Sequence, residues 1–136
     1  MTEAERLADA ASALVGAPFR LHGRNPTTGL DCVGVLVCAL RSVARPVPDY
    51  PPYALRNLSY DRHDQAMIAA GFARIHCAKL VEPGDVLFSE PGPMQRHILI
   101  AVDGLRLVHA HAGLRRVVTM PGPAPWPLTG HWRLQT

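Results

Sequence analysis

The chain has little lysine, few aromatic residues and no long apolar run, and each shortage removes a class of function. Lys79 is the single lysine against 13 arginines, spread from Arg6 to Arg133, with only Arg115 and Arg116 adjacent. At 6% aromatic and a net charge of +3 there is no dense basic stripe with interleaved rings, so no nucleic-acid partner is expected. No stretch of 18 apolar residues occurs, which excludes a membrane-spanning helix and makes a membrane partner unexpected. Met1-Thr2-Glu3-Ala4-Glu5-Arg6 is charged and lacks a signal peptide's apolar stretch, so the protein is expected to stay in the producer's cytoplasm or to leave by a non-secretory route. The three cysteines, Cys32, Cys38 and Cys77, are odd in number and form no CxxC, so neither a disulfide framework nor a zinc site is signalled. On one helix Cys32 and Cys38 would be about 9 Å apart, too far to bridge, and all three are expected to be free thiols.

What is present is enough apolar material, 48% of 136 residues, for one core and one domain spanning 1–136. Thr2-x-x-Glu5 fits a capping box that opens a helix ended by Gly16 and Pro18. Residues 19–30 read as a loop. Asp31 then caps a second helix, Cys32 to about Ala44, apolar nearly all round and therefore buried. Pro46, Pro48, Pro51 and Pro52 impose an extended connection to a third helix, about Tyr60 to Ala70. Beyond Gly71 the pattern turns to strands: Phe72–His76, Val86–Phe88 after a turn at Glu82–Asp85, Ile98–Val102, Leu105–Ala110, Arg115–Met120 and His131–Leu134. Pro121–Pro127 is a proline-rich link. Helices first and an antiparallel sheet afterwards give an α+β fold.

Cys32 stands where Asp31 gives way to a buried helix. A thiol there feels the positive end of the helix dipole and free N–H groups, which favour a thiolate and can hold an oxyanion. A nucleophilic cysteine needs a base, and the base an orienting partner. His97 and His109 lie at the ends of two strands joined around Asp103-Gly104. Twelve residues apart, they share a face only if the loop has odd length. A three-residue loop Val102-Asp103-Gly104, with Gly104 left-handed in a bulge, would set His97 directly across from His109. His111 shares that parity and is an alternative partner. His97, His109 and His111 could also hold zinc, but a well-placed cysteine makes that the weaker reading. His22, on the loop before Cys32, is a candidate substrate contact, with a loop hydrogen bond as the plainer alternative. Asp31 reads as a helix cap before a catalytic acid, and His63, His76 and His131 as surface or structural residues. Arg20, Arg24, Arg115 and Arg116 read first as solvated charge.

Gly29-Leu30-Asp31-Cys32-Val33-Gly34, Glu82-Pro83-Gly84-Asp85-Val86-Leu87-Phe88, His97-Ile98-Leu99-Ile100-Ala101-Val102-Asp103-Gly104 and Val108-His109-Ala110 together resemble the NlpC family of cell-wall cysteine peptidases. Its motifs come in this order: Asp-Cys-Ser-Gly, Pro-Gly-Asp-Leu, His-Val-Gly-Ile, and a second His twelve residues on. The resemblance implies a papain-like core, Cys32 as nucleophile, His97 as base and His109 as the residue that orients it. No metal or other cofactor is implied. The implied substrate is the peptidoglycan stem peptide, at the γ-D-glutamyl-diaminopimelate bond. Phe19 stands where the family often has a tyrosine whose hydroxyl serves the oxyanion site, so that site would rest on backbone N–H groups, helped by His22. Val33 replaces the usual serine, and Leu99 replaces a glycine, narrowing the space near the base. The stretch from Pro18 to Cys32 looks like peptidases encoded in tail modules of phages and gene transfer agents, which implies a tail, baseplate or hub partner and a place in a virion-like particle. Two alternatives stand beside this reading: a tail or hub-binding module whose site has decayed, and a thiol amidase or acyltransferase acting outside the wall.

Overall fold

Thr2 starts the first helix as the capping-box pattern requires: its hydroxyl accepts from Glu5 N at 3.1 Å, and Glu5 Oε1 accepts from Thr2 N at 3.2 Å. The computed structural model describes residues 1–48, 60–76, 80–93 and 95–135, with side chains from residue 64 in the second stretch. The helices are α1 (Glu3–Ser12), α2 (Cys32–Ser42) and α3 (Tyr60–Ala69). The strands are β1 (Arg24–Asn25), β2 (Gly29–Leu30), β3 (Phe72–Arg74), β4 (Val86–Gly92), β5 (Gln95–Ala101), β6 (Arg106–His111), β7 (Arg116–Pro121) and β8 (Leu128–Leu134). The expected α+β order is therefore present, with additions. The 19–30 loop carries a small β1–β2 hairpin, β4 continues to Gly92, and β5 and β8 begin earlier than expected, at Gln95 and Leu128. Pro51, Pro52 and Cys77, and the side chain of His63, lie outside the described residues.

Six strands form one antiparallel sheet in the order β3-β8-β4-β5-β6-β7. Strand alternation sorts its side chains onto two faces. On the inner face Val86, Phe88, Ile98, Ile100, Val108 and Trp132 join Leu7 of α1 and Leu36 and Leu40 of α2 in the main core. Helix α2 contains three valines and a glycine, poor helix formers, so packing decides its conformation. Eight of its eleven residues are buried, and each fully buried leucine contributes about 1.5–3 kcal/mol. Gly34 has a local reason: a Cβ there would collide with the Gly23 carbonyl, which lets the 19–30 loop lie directly on the helix.

The outer face has its own core. Leu87, Leu99, Ala101 and Leu107 are buried there under Val81, Met120, Ala124, Trp126 and Leu128, so the proline-rich link folds across the sheet as a strap. The same face carries a buried acid. Asp85 accepts from Glu82 N at 2.9 Å, from His131 Nε2 at 2.6 Å, and from Arg133 Nε and Nη2 at 2.9 Å each. His131 is thus a core residue tying β8 to the start of β4, one of the structural roles open to it from sequence.

The β5–β6 loop corrects the expected register. Ile100 faces Val108, Ala101 faces Leu107, and Val102 N donates to Arg106 O at 2.9 Å. The loop does have three residues, but they are Asp103-Gly104-Leu105. Gly104 is not left-handed. Asp103 Oδ1 makes the turn instead, accepting from Leu105 N at 2.8 Å and Arg106 N at 2.9 Å. Odd length preserves the shared face, but the one-residue shift sets Leu99, not His97, opposite His109.

Asp85→Ala would leave His131 and Arg133 without their shared acceptor inside the fold, and is expected to lower unfolding free energy by about 3 kcal/mol in urea titrations. Leu105→Ala, at a loop residue 76% exposed, should stay within about 0.5 kcal/mol of wild type. Equal effects for the two variants would refute the assignment of Asp85 as a structural hub.

Candidate functional site

Asp31 aims the start of α2. One carboxylate oxygen, Oδ1, accepts from Gly34 N at 2.8 Å as the helix N-cap and from Arg24 Nη1 at 2.8 Å. The other, Oδ2, accepts from His22 N at 2.9 Å. The carboxylate therefore clips the loop to the helix end, with His22 held in the left-handed region at φ 61° and its side chain exposed. His22 thus shows the loop hydrogen bond, made by its backbone, and Asp31 is the cap. Phe19 is fixed by bridging to Leu30 and by donating its N–H to Arg115 O at 2.9 Å; its ring packs on the main core. The tyrosine position is thus filled by an apolar contact with no hydroxyl to offer.

Cys32 is the first residue of α2 and is 7% exposed. Its sulfur accepts from the backbone N–H groups of Val33 and Ile98. The second donor comes from a break in the sheet. Ala101 N donates to Asp85 O on the β4 side and Val102 N to Arg106 O on the β6 side. Alternation then turns the N–H of Ile98 towards β6. Pairing between β5 and β6 stops at Ile100 and Val108, so the ladder does not consume that N–H and the thiol takes it.

Next to Ile98, His97 places Nε2 2.8 Å from Nδ1 of His109. The two rings stand edge to face, 5.0 Å between centroids at 84°. His97 reaches His109 diagonally across the opened pair. His111 is engaged elsewhere, its Nδ1 accepting from Leu114 N at 3.0 Å, so His109 is the ring that touches His97. Trp126, from the strap, stands edge to face with both imidazoles, its centroid 5.6 Å from His97 and 6.0 Å from His109. Leu99, two residues after His97, is fully buried in the cluster that Trp126 joins.

Electrostatics set the resting state. Burial, and then the nearby Asp31 charge, push the Cys32 thiol up to about 12, against its two backbone donors and Arg24. Burial, and then the fields of His109 and His111, push the His97 imidazole down to about 4. His109 is held down to about 4 by burial and His111. At neutral pH the thiol and both imidazoles are uncharged, with one ring N–H shared between His97 and His109. Among the described residues no three His, Cys, Asp or Glu side chains converge as a metal set. Cys38 is a free thiol 3.2 Å from Arg24 O, remote in role from these groups.

Two features escaped sequence reading. Trp126 sits in a proline-rich link with no periodicity. The available signal was a large aromatic in a chain with few, which needs a surface to cover. The Asp85–His131–Arg133 cluster was visible only as two polar residues at strand period two, His131 and Arg133. Of the arginines read as solvated charge, Arg20, Arg115 and Arg116 are exposed as expected, while Arg24 pairs with Asp31.

Residues 16–126 match the model of the NlpC/P60 family. No curated protein sequence matches the chain significantly. Among solved structures, NlpC2 from Trichomonas vaginalis superposes with a TM-score of 0.73 at 19% identity, over 96% of this chain and 48% of that one. The P60 domain of antigen MAP1204 from M. avium subspecies paratuberculosis gives 0.64 at 19% identity, over 97% and 93%. The peptidoglycan hydrolase RipB from Mycobacterium tuberculosis gives 0.67 at 19%, over 98% and 66%. These share the papain-like fold of the family, and the chain spans about half the length of the first of them.

A neutral resting pair has a kinetic signature. Alkylation of Cys32 by iodoacetamide should rise about tenfold per pH unit from about pH 6 to 9, following the small thiolate fraction. A flat rate from about pH 4 to 8, the mark of a preformed thiolate–imidazolium pair, would contradict the charge states given above.

Proposed function

The chain belongs to the NlpC/P60 family, and from that premise we propose that it is a cysteine peptidase of peptidoglycan stem peptides, acting at the γ-D-glutamyl-diaminopimelate bond. The observation that carries this reading is the 2.8 Å contact between His97 Nε2 and His109 Nδ1, beside a helix-terminal cysteine bound to the N–H of the next strand residue. With His97 Nε2–H donating to His109, Nδ1 is the nitrogen left to accept a proton. Cys32 gives its proton to His97 Nδ1 as sulfur attacks the scissile carbonyl. The new oxyanion is held by the Cys32 N–H, one of the first four in the helix that lack an intrahelical acceptor. As the C–N bond breaks, His97 returns the proton to the departing amine. Water, deprotonated by the same imidazole, then hydrolyses the thioester and regenerates the thiol. Throughout, the hydrogen bond to His109 keeps the ring in one tautomer.

Phe19 leaves the oxyanion site without a tyrosine hydroxyl, so backbone donors carry it; the exposed side chain of His22 lies on the same loop and is free to meet substrate. The decayed-module reading is separated by turnover. Resting thiol reactivity does not separate it, because burial slows Cys32 whether or not the site works. Acyl transfer or amide hydrolysis outside the wall is separated by the products.

The delivery role is a second part of the proposal. The stretch from Pro18 to Cys32 resembles tail-module peptidases, which supports a place in a virion-like tail, bound to a hub or baseplate protein. Co-purification of the chain with intact particles is the expected outcome; recovery only as free protein from a particle-producing strain would exclude the role.

Muropeptides digested with wild-type protein and read by mass spectrometry should show the stem peptide cut. Cys32→Ala should abolish the products, His97→Ala should slow them by about 10³-fold, and His109→Ala by about 10- to 100-fold. Undiminished cleavage by Cys32→Ala would refute the mechanism, and an inactive wild type would favour the decayed module.

A further inference from the structure

The strap between β7 and β8 is fastened at both ends. Gly122 N donates to Leu105 O at 2.7 Å, and Glu90 N donates to Pro127 O at 3.0 Å. Between these points Ala124 and Trp126 pack on the outer cluster of Leu87, Leu99, Ala101 and Leu107. Trp126 meets His97 at 89° and His109 at 71°, with centroids 5.6 Å and 6.0 Å away. Three rings thus stand mutually edge to face around one hydrogen bond. That bond joins two neutral groups, so water admitted beside it would compete for both nitrogens, and an indole packed edge to face with both rings is a barrier to water and a fixed wall for each ring plane.

We propose that Trp126 is a positioning residue of the site: from the outer face it locks the His97–His109 hydrogen bond in one geometry and keeps water from it, so that His97 presents Nδ1 to the thiol. The proposal rests on the reading of His97 as the base. Leu99 is part of the same device, because it fills the floor on which Trp126 sits. A smaller residue at that position would leave the indole unsupported. The titratable groups that act on His97 are His109 and His111 on β6; on β4, Ser89 faces it and donates its hydroxyl to His97 O at 3.2 Å, and the backbone N–H of the following residue, Ile98, meets the Cys32 sulfur.

The test compares wild type with Trp126→Phe, Trp126→Leu and Trp126→Ala, using nitrogen NMR of the histidine rings alongside steady-state hydrolysis of a stem peptide. Trp126→Phe should keep a single His97 tautomer and near-wild-type turnover. Trp126→Leu and Trp126→Ala should show exchange between tautomers and a midpoint for the pair raised from about 4 towards the ordinary 6.5. Their kcat should fall about 10- to 100-fold, with KM within about threefold. If Trp126→Ala does not fold, Trp126→Leu, which retains apolar volume, decides the matter. A Trp126→Leu protein with unchanged tautomer, midpoint and kcat would reduce Trp126 to core filling and overturn the proposal. If wild type cleaves no stem peptide, the peptidase reading fails, while the ring spectra still decide whether Trp126 holds the pair.

Discussion

The Asp31 carboxylate is the constraint from which the rest of the site follows. It accepts from the helix through Gly34 N and from the loop through His22 N and Arg24, so one side chain sets both where α2 begins and where the 19–30 loop lies. Shifting the helix start by one residue would rotate Cys32 by about 100° around the axis and carry its sulfur away from β5. Gly34 and Gly23 permit the arrangement by letting loop backbone touch helix backbone. The cap has an electrostatic price as well: Asp31 is the second cause, after burial, of the raised Cys32 thiol, and its pairing with Arg24 offsets part of that field.

Burial acts on the two reacting groups in opposite directions, and both directions favour neutrality. It disfavours a thiolate on Cys32 and an imidazolium on His97, so both groups rest uncharged. The helix dipole and the Val33 and Ile98 N–H groups pull the other way without prevailing. In the proposed reaction, a carbonyl bound at the helix N-terminus would supply the missing acceptor of negative charge and make proton transfer and attack one event.

Much of this was legible in the sequence, for a local reason. Caps and turns are written by nearby residues, so Thr2, Asp31 and the α+β order were readable, as was the pairing of His97 with His109. The register was not. Gly104 suggested a glycine-driven bulge, but the Asp103 carboxylate makes the turn by capping Leu105 and Arg106, moving the loop by one residue. Parity survived because both loops have three members. The partners of Trp126, His131 and Arg133 were not readable because they lie on other strands, and no local pattern encodes a contact across 17 or 46 residues, the spacing from His109 to Trp126 and from Asp85 to His131.

The early end of the β5–β6 ladder explains why one histidine rather than another meets His97. Had pairing continued past Ile100 and Val108 in the same register, His97 would face His111, and the Ile98 N–H would be spent on β6. Because it stops, Ile98 N–H goes to sulfur and His97 turns diagonally to His109. Meanwhile His111 is held by Leu114 N at the tip of the next turn. A single missing pair of backbone contacts thus supplies the thiol with a donor and the imidazole with its partner. The two histidines share a face with the outer core, and the thiol comes from the helix side. The opened β5–β6 pair lets Ile98 serve the thiol on the helix side while His97, the residue before it, serves His109 on the outer face.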